Sequence, residues 1–449
     1  MKNDLLTGKP VKSIILFALP IMASSMLQYN YVFVDNIIVG RFIGTEALAA
    51  VGSVGSINSF IVGAALGLTA GFTITVAQSF GEGNVKKMNK FAGNSISLAL
   101  IIGLVIVVVA HILCVPLLRL LKTPDDIIDM AASYLNILYF CIPVQMLLNN
   151  FNALSRAVGD SKKPLYFLIV SVIINLCLDL LFVGAFKWGV VGAAWATNIS
   201  QLCAMLLAGF DVLKRNKTLN ITKKDLIPET KISLAQLKIG VPISLQFTIT
   251  SIGSMTLQTA VNGFGSSVIA GFTAASRVEQ ITNIPMSGLG VGTMTFVSQN
   301  YGAGNYERMF KTVRKIFILD VAVSVLCSVL LVSVGPYAVR LFMSENNEEI
   351  MFAAVHYLRA IAICYSLVAV LFVFRNTLQG MGFTFANTIA GAGELFGRLS
   401  VALIFSRIIG FEAVCFAGPA AWLLADIPLI IIYLFKKKNI LSNRIEESS

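Results

Sequence analysis

Long apolar runs recur along this chain and leave it one kind of fold. Segments of spanning length occur at 13–40, 47–79, 92–114, 127–155, 164–184 and 189–211, and again at 236–262, 268–298, 315–334, 350–379, 385–407 and 411–435. A hydrocarbon core of roughly 30 Å takes about 20 helical residues to cross, so each run can span a bilayer once. Inside that core every backbone N–H and C=O must be paired, which leaves helices or closed barrels. Barrel strands are short and alternate in polarity, whereas these runs are long and continuously apolar. The expected fold is an all-α polytopic membrane protein of twelve transmembrane helices. With 56% hydrophobic and 13% charged residues and a mean hydropathy of +0.81, the chain has too little polar surface for a soluble globule.

The twelve segments fall into two sets of six, separated by KRNKTLNITKKDLIPETK (Lys214–Lys231), the longest polar stretch between apolar segments. The reading is therefore an N-terminal lobe at 1–213, a cytoplasmic linker at 214–232 and a C-terminal lobe at 233–449. The lobes repeat each other. VAQSFGEGNVKKMNK (Val76–Lys90) aligns without a gap with VSQNYGAGNYERMFK (Val297–Lys311) at an offset of 221 residues. Pro20 matches Pro242 at nearly the same offset, and Gly189–Thr197 falls opposite Gly410–Gly418. Six helices per repeat is an even number, so the repeats share one topology, about an axis along the membrane normal, with a substrate cavity expected between them.

Charge gives the orientation. One set of connections and both ends carry 24 Lys and Arg residues, and the other set carries six: Arg41, Arg119, Lys122, Lys187, Arg340 and Arg407. Short cytoplasmic loops hold the basic excess, so both termini are expected in the cytoplasm of a multi-pass protein in the cell inner (plasma) membrane. The net charge of +11 is spread over loops rather than along one stripe, so no nucleic-acid partner is expected. The seven cysteines stand singly, without metal or redox spacing, and read as buried small hydrophobes. The first apolar run is too long for a cleavable signal peptide and carries an acid, Asp35.

That acid needs a reason. A carboxylate deep in a spanning helix costs at least ~2.5–3.5 kcal/mol, so it must face a polar cavity, a cation or a proton. Gln28, Tyr31 and Asp35 share one face of the first helix. Asn175 and Asp179 stand at i and i+4 on the fifth, Gln145, Asn149, Asn152 and Arg156 form a polar stripe on the fourth, and Thr197 lies on the sixth. Together they supply two acids and hard oxygen ligands suited to H⁺ or Na⁺. A polar network that only fixes helix packing would have the same spacing.

VDNIIVGRFIGTEALAAVG (Val34–Gly52), the duplicated Q-x-x-G-x-G-N loops, ALSRAVGDSKKP (Ala153–Pro164) and N-x-x-x-D in the fifth helix resemble the multidrug and toxic compound extrusion (MATE) family over essentially the whole chain. The resemblance implies a V-shaped pair of six-helix lobes that exports cationic, amphipathic compounds in exchange for H⁺ or Na⁺ by alternating access. It further implies a cation site at Asp35, Asn149, Asn175, Asp179 and Thr197, with Asn150 adjacent to Asn149; a Na⁺ would sit at Asp35, Asn175 and Asp179. Relatives with acids on the seventh and tenth helices differ from this chain, which has Thr256, Leu257 or Gln258 and then Arg375 and Asn376 there. Coupling is therefore expected in the N-terminal lobe.

Gln28, Tyr31, Gln145, Asn152, Gln246, Gln258 and Arg375 are candidates for the substrate cavity. Glu394 and Arg398, at i and i+4, read as a mutually neutralising pair, and Arg277 and Glu279 as pairing with neighbouring helices. Asp211 and Asp320 are expected at the interface beside basic clusters. Asp426 has no such neighbour in sequence. His111 and His356 stand alone, so no metal site is expected, and no cofactor beyond the coupling ion. Two other functions compete with a cation-coupled exporter. A lipid-linked sugar flippase of the same superfamily would need more cavity arginines than Arg277, Arg375 and Arg398. A membrane-embedded transferase would need a catalytic group in a sizeable loop, and the loops are short; no enzymatic activity is expected. The implied partners are small organic cations and the bilayer, and a monomer is expected.

Overall fold

The computed structural model describes residues 5–120, 123, 125–341 and 347–448, except the side chains of 36, 45–53, 56, 120, 125, 126 and 443–448. Lys2 and Lys122 lie outside the described residues, as do the side chains of Arg444 and of residues 45–52 in the Val34–Gly52 motif. The chain runs through α1 (Pro10–Phe42), α2 (Thr45–Gly81), α3 (Val85–Leu120), α4 (Asp125–Phe140), α5 (Ile142–Ala157), α6 (Lys162–Asp179), α7 (Gly189–Phe210), α8 (Thr230–Val261) and α9 (Ser266–Gly302). It continues through α10 (Tyr306–Ser333), the short α11 (Gly335–Arg340), α12 (Glu348–Ile363), α13 (Ser366–Gly380), α14 (Phe385–Ser400), the short α15 (Ser406–Ile409) and α16 (Phe411–Cys415), and α17 (Ala417–Ser448).

Among the described residues nine helices are long and apolar enough to cross a membrane, and two bent pairs raise this to eleven. The remaining expected segment, 268–298, falls in α9, where Arg277, Glu279 and Gln280 lower the hydropathy of a 37-residue helix. The bent pairs correct two expected spans. Segment 127–155 breaks at Cys141 into α4 and α5, bent by 47°, and segment 350–379 breaks into α12 and α13, bent by 57°. Pro143 explains the first, since it cannot donate to the carbonyl one turn back. Cys141 N–H then bonds to Leu138 O instead of Ile137 O, and Asn198 Nδ2 of α7 reaches Ile137 O at 2.5 Å. At the second break Ser328 Oγ of α10 donates to Ala362 O at 2.6 Å. Each opened helix end in the bilayer thus finds a side-chain partner.

The backbone carries the duplication as clearly as the sequence. All eight positive-φ glycines among the described residues form four repeat pairs: Gly44 with Gly265 (φ 120° and 91°), Gly83 with Gly304 (72° and 71°), Gly159 with Gly382 (90° and 87°), and Gly189 with Gly410 (62° and 73°). These are left-handed turn positions that favour glycine, kept where each repeat changes direction. The two Q-x-x-G-x-G-N loops share their bonds: Glu82 N–H to Gln78 O and Ala303 N–H to Gln299 O, Gly83 N–H to Phe80 O and Gly304 N–H to Tyr301 O. A π-helical turn follows α6 at Leu180–Ala185 and another follows α14 at Val401–Phe405.

Packing groups the residues differently from chain order. One compact unit is Ala23–Ser244, and the other joins the segment ending at Met22 to the chain from Leu245 onward. Each of α1 and α8 therefore changes unit two residues after its internal proline, Pro20 or Pro242. Small residues receive the incoming halves. In the first unit, a Cβ on Gly67 would stand 2.6 Å from Ser244 Cα, and one on Gly71 2.3 Å from Gly240 Cα. In the second, the equivalent Gly288 and Gly292 meet Met22 and Ile14. This is the small-xxx-small packing that lets helix backbones approach closely in lipid. Amides hold the first arrangement: fully buried Gln236 donates to Phe72 O and Phe91 O and accepts from Asn94 Nδ2 at 2.8 Å. Buried Ile14, Phe17 and Ala18 hold the second, with Asn300 Nδ2 on Leu5 O and Arg308 Nη2 on Gly8 O.

Candidate functional site

α6 is built inside out. Its buried residues are Pro164, Ser171, Asn175 and Asp179, whereas Ile173 and Leu176 are exposed. A helix in lipid has no hydrophobic reason to turn leucine inward, so the polar positions at i, i+4 and i+8 set which face is buried. Asp179 is the last α-helical residue before the π turn, a local widening often found at functional sites.

Around Asp179 the first unit gathers four helices. The Asp179 and Asp35 carboxyl groups face each other within hydrogen-bonding reach. The Asn175 amide, with its nitrogen toward Asp179, donates to Asp179 Oδ2 at 2.8 Å and accepts from the Thr197 N–H at 3.3 Å; the hydrogen-bond network sets that orientation. Tyr31 OH and Thr197 Oγ1 are 3.3 Å apart. One oxygen of each acid, Asp35 Oδ1 and Asp179 Oδ1, is buried without a partner. Two close carboxylates cannot comfortably both be charged, and one proton or one cation between them relieves both the repulsion and the empty lone pairs.

Of the expected cation set, Asp35, Asn175, Asp179 and Thr197 come together. Asn149 does not: among the described residues no hydrogen bond ties it to this cluster. It lies in α5, beyond the break, so its helical phase does not continue that of α4. Neighbouring Asn150 is fully buried and accepts from Ser95 Oγ of α3 at 3.2 Å, a packing contact. The fourth span instead contributes Tyr134 of α4, buried and within electrostatic range of Asp35, Tyr31 and Asp179. On a straight 127–155 helix Tyr134 stands eleven residues before Gln145 and so on the face of the polar stripe; following that stripe back through the span is the signal that would have found it.

The candidate cavity residues divide. Tyr31 belongs to the acid cluster, Gln28 is exposed, and Gln145 and Asn152 are half-buried, with Asn152 Oδ1 unpartnered. Gln258 is exposed and donates to Asn262. In the second unit Gln246 donates to Thr250 Oγ1 at 3.2 Å, and Thr250 donates to Glu394 Oε2 at 3.3 Å. Arg375 Nη2 bonds Glu394 Oε1, and Arg398 Nη1 lies 3.4 Å from Glu394 Oε2. Glu394 thus has two arginine partners, one more than its spacing indicated, because Arg375 arrives from another helix. Glu279 accepts from Tyr357 OH at 2.9 Å.

Three further expectations are corrected. Asp211 does pair with Lys163, at 2.7 Å, but Asp320 is fully buried with neither oxygen partnered, because its face of α10 turns inward and away from the basic cluster. His356 is not alone: its Nε2 lies 2.6 Å from Glu412 Oε2, supplied by the distant α16. Of the cysteines, Cys114, Cys141, Cys327 and Cys415 are buried, Cys203 and Cys364 are intermediate and Cys177 is exposed; a thiol on the outer face of α6 faces away from the protein interior.

Long apolar helices, a duplicated backbone and a buried acid pair in one repeat define a polytopic α-helical membrane protein of transporter architecture. The chain belongs to the MatE family, whose model matches residues 20–181 and 242–396. It is 31% identical over 380 residues, 84% of each chain, to the probable multidrug resistance protein YpnP of Bacillus subtilis. It is 27% identical over 444 residues, 96% of this chain and 95% of the relative, to the probable multidrug resistance protein YoeA of the same organism. Its fold is that of a crystal structure of MATE in the bent conformation, with a TM-score of 0.89 at 24% identity, covering 100% of this chain and 99% of that one.

Proposed function

We propose that this protein is a secondary active exporter of small cationic or amphipathic organic compounds, driven by exchange for H⁺ or Na⁺ at Asp35 and Asp179. The observation that carries the reading is the facing pair of carboxyl groups, each with a buried, unpartnered oxygen. Such a pair binds one proton or cation when the site faces one side of the membrane and releases it when it faces the other. Asn175, Thr197 and Tyr31 hold the acids in place; turned over, the Asn175 amide would present an oxygen to a metal cation. The relatives named for multidrug resistance support the substrate class. The arginines argue against an anionic lipid headgroup, since Arg375 and Arg398 both turn to Glu394.

The basic excess of 24 residues against six supports placing both termini in the cytoplasm of an inner-membrane protein; the proposed working unit is the monomer. Efflux of ethidium from proteoliposomes under separately imposed proton and sodium gradients tests the reading. One gradient should drive efflux and Asp35→Asn should abolish it. Efflux indifferent to both gradients would replace antiport with facilitated diffusion.

A further inference from the structure

The second unit gathers four charged side chains around buried Glu394, and the five do not cancel. Glu394 lies between Arg375 and Arg398, and Arg398 is also in electrostatic range of Glu279. Asp426 of α17 lies in range of Arg375 and Glu394, is 2% exposed, and has no hydrogen-bond partner on either oxygen. Arg375 Nε is likewise buried without an acceptor. With every group ionised, three acids oppose two guanidiniums and one negative charge is unmatched. Glu394 and Glu279 accept hydrogen bonds, so the unmatched charge belongs to Asp426. An unpaired carboxylate at this depth is unstable unless something neutralises it.

We propose that Asp426 is a second ion-exchange acid of this transporter, binding and releasing one proton beside the Arg375–Glu394 pair. A metal ion fits poorly, because Na⁺ needs several oxygen ligands and a guanidinium at the site repels it; a proton needs one lone pair. On release the Asp426 O–H bond breaks, the proton leaves toward solvent, and Arg375 offsets the new carboxylate. The charged groups in electrostatic range of Asp426 are Arg375 from α13 and Glu394 from α14; Arg398 on α14 pairs with Glu394 and is itself in range of Glu279 on α9. The acids that some relatives carry on the seventh and tenth helices are absent here, and Asp426 stands on the last. The proposal extends the coupled-export reading to the second unit, yet its test involves no transport.

Infrared difference spectra of the full-length protein in lipid nanodiscs, taken between about pH 5 and 9, report protonated carboxyl groups directly. In the Asp35→Asn/Asp179→Asn protein the first site is silent, and a titrating carboxyl band should remain. Adding Asp320→Asn, which silences the other buried acid without a partner, should leave a titrating band; adding Asp426→Asn as well should remove it, while Asp426→Glu in its place should keep it at a shifted frequency. Survival of the band in the protein that also carries Asp320→Asn and Asp426→Asn, an unshifted band with Asp426→Glu, or the lack of any titrating band once Asp320 is replaced, would overturn the proposal. Failure of the export reading would appear separately, as gradient-driven efflux that survives Asp35→Asn.

Discussion

In the N-terminal unit two carboxyl groups face each other with only neutral side chains around them among the described residues; in the C-terminal unit Glu394 sits between two guanidiniums. The two repeats share one backbone plan and keep the same π turn. Counting back from that turn, Ser400 and Phe396 stand where the first unit has Asp179 and Asn175, and Glu394 and Arg398 stand where it has Ile173 and Cys177. The helix is shared and its chemistry has been rewritten. An acid held by two arginines is a fixed part of the packing, since breaking a buried pair strands a charge. Acids held only by neutral donors can take up and release a cation.

The largest expected effect contrasts the acids. Asp35→Asn or Asp179→Asn should abolish gradient-driven ethidium efflux with the thermal melting temperature nearly unchanged, whereas Leu257→Asn and Ser400→Ala, at the corresponding positions of the second unit, should keep most of it. Equal losses in both units would end the asymmetry. Glu394→Gln should behave in reverse, losing about 3–5 kcal/mol of stability because two buried guanidiniums lose their counter-charge; a fluorescence-detected melting curve checks this, and an unshifted melt would show the cluster to be dispensable for packing. Next come the helix seats. Gly71→Ala should cost about 1–3 kcal/mol through overpacking, because its Cβ meets backbone at 2.3 Å, whereas Gly292→Ala meets Ile14 only at 3.3 Å and should cost less. Smallest is Tyr31→Phe, which removes one 3.3 Å hydrogen bond to Thr197, a net loss of about 0.5–1.5 kcal/mol; initial efflux rates should fall less than tenfold, and a complete loss would make the tyrosine hydroxyl part of the ion path.

Most of the first unit's site was legible in the chain because its members announce themselves locally. A polar residue in an apolar run has few explanations, and Asn175 and Asp179 declare a shared face by being four residues apart. What spacing cannot report is which other helix that face meets. Arg375 and Asp426 come to Glu394 from two other helices, and Tyr134 comes within electrostatic range of Asp35 from α4, so all three needed tertiary packing to be placed. The twelve apolar runs were legible for the same reason as the acids, while the bends at Cys141 and Cys364 were not, because apolar character continues straight through them. Pro20 and Pro242 were visible as a matched pair, but not that each marks where its helix changes unit.

That change of unit has a consequence for ancestry. Gly67 and Gly71 form a seat in the first repeat that the second repeat fills, and Gly288 and Gly292 form one that the first repeat fills. A six-span ancestor with the same seats could fill its own only by borrowing the opening helix of another copy, which is a domain-swapped homodimer. Duplication and fusion of such an ancestor would make that loan internal, turning a concentration-dependent assembly into an intramolecular one. Joined in one chain, each repeat need not serve as both partners, which leaves the two sets of acids free to differ.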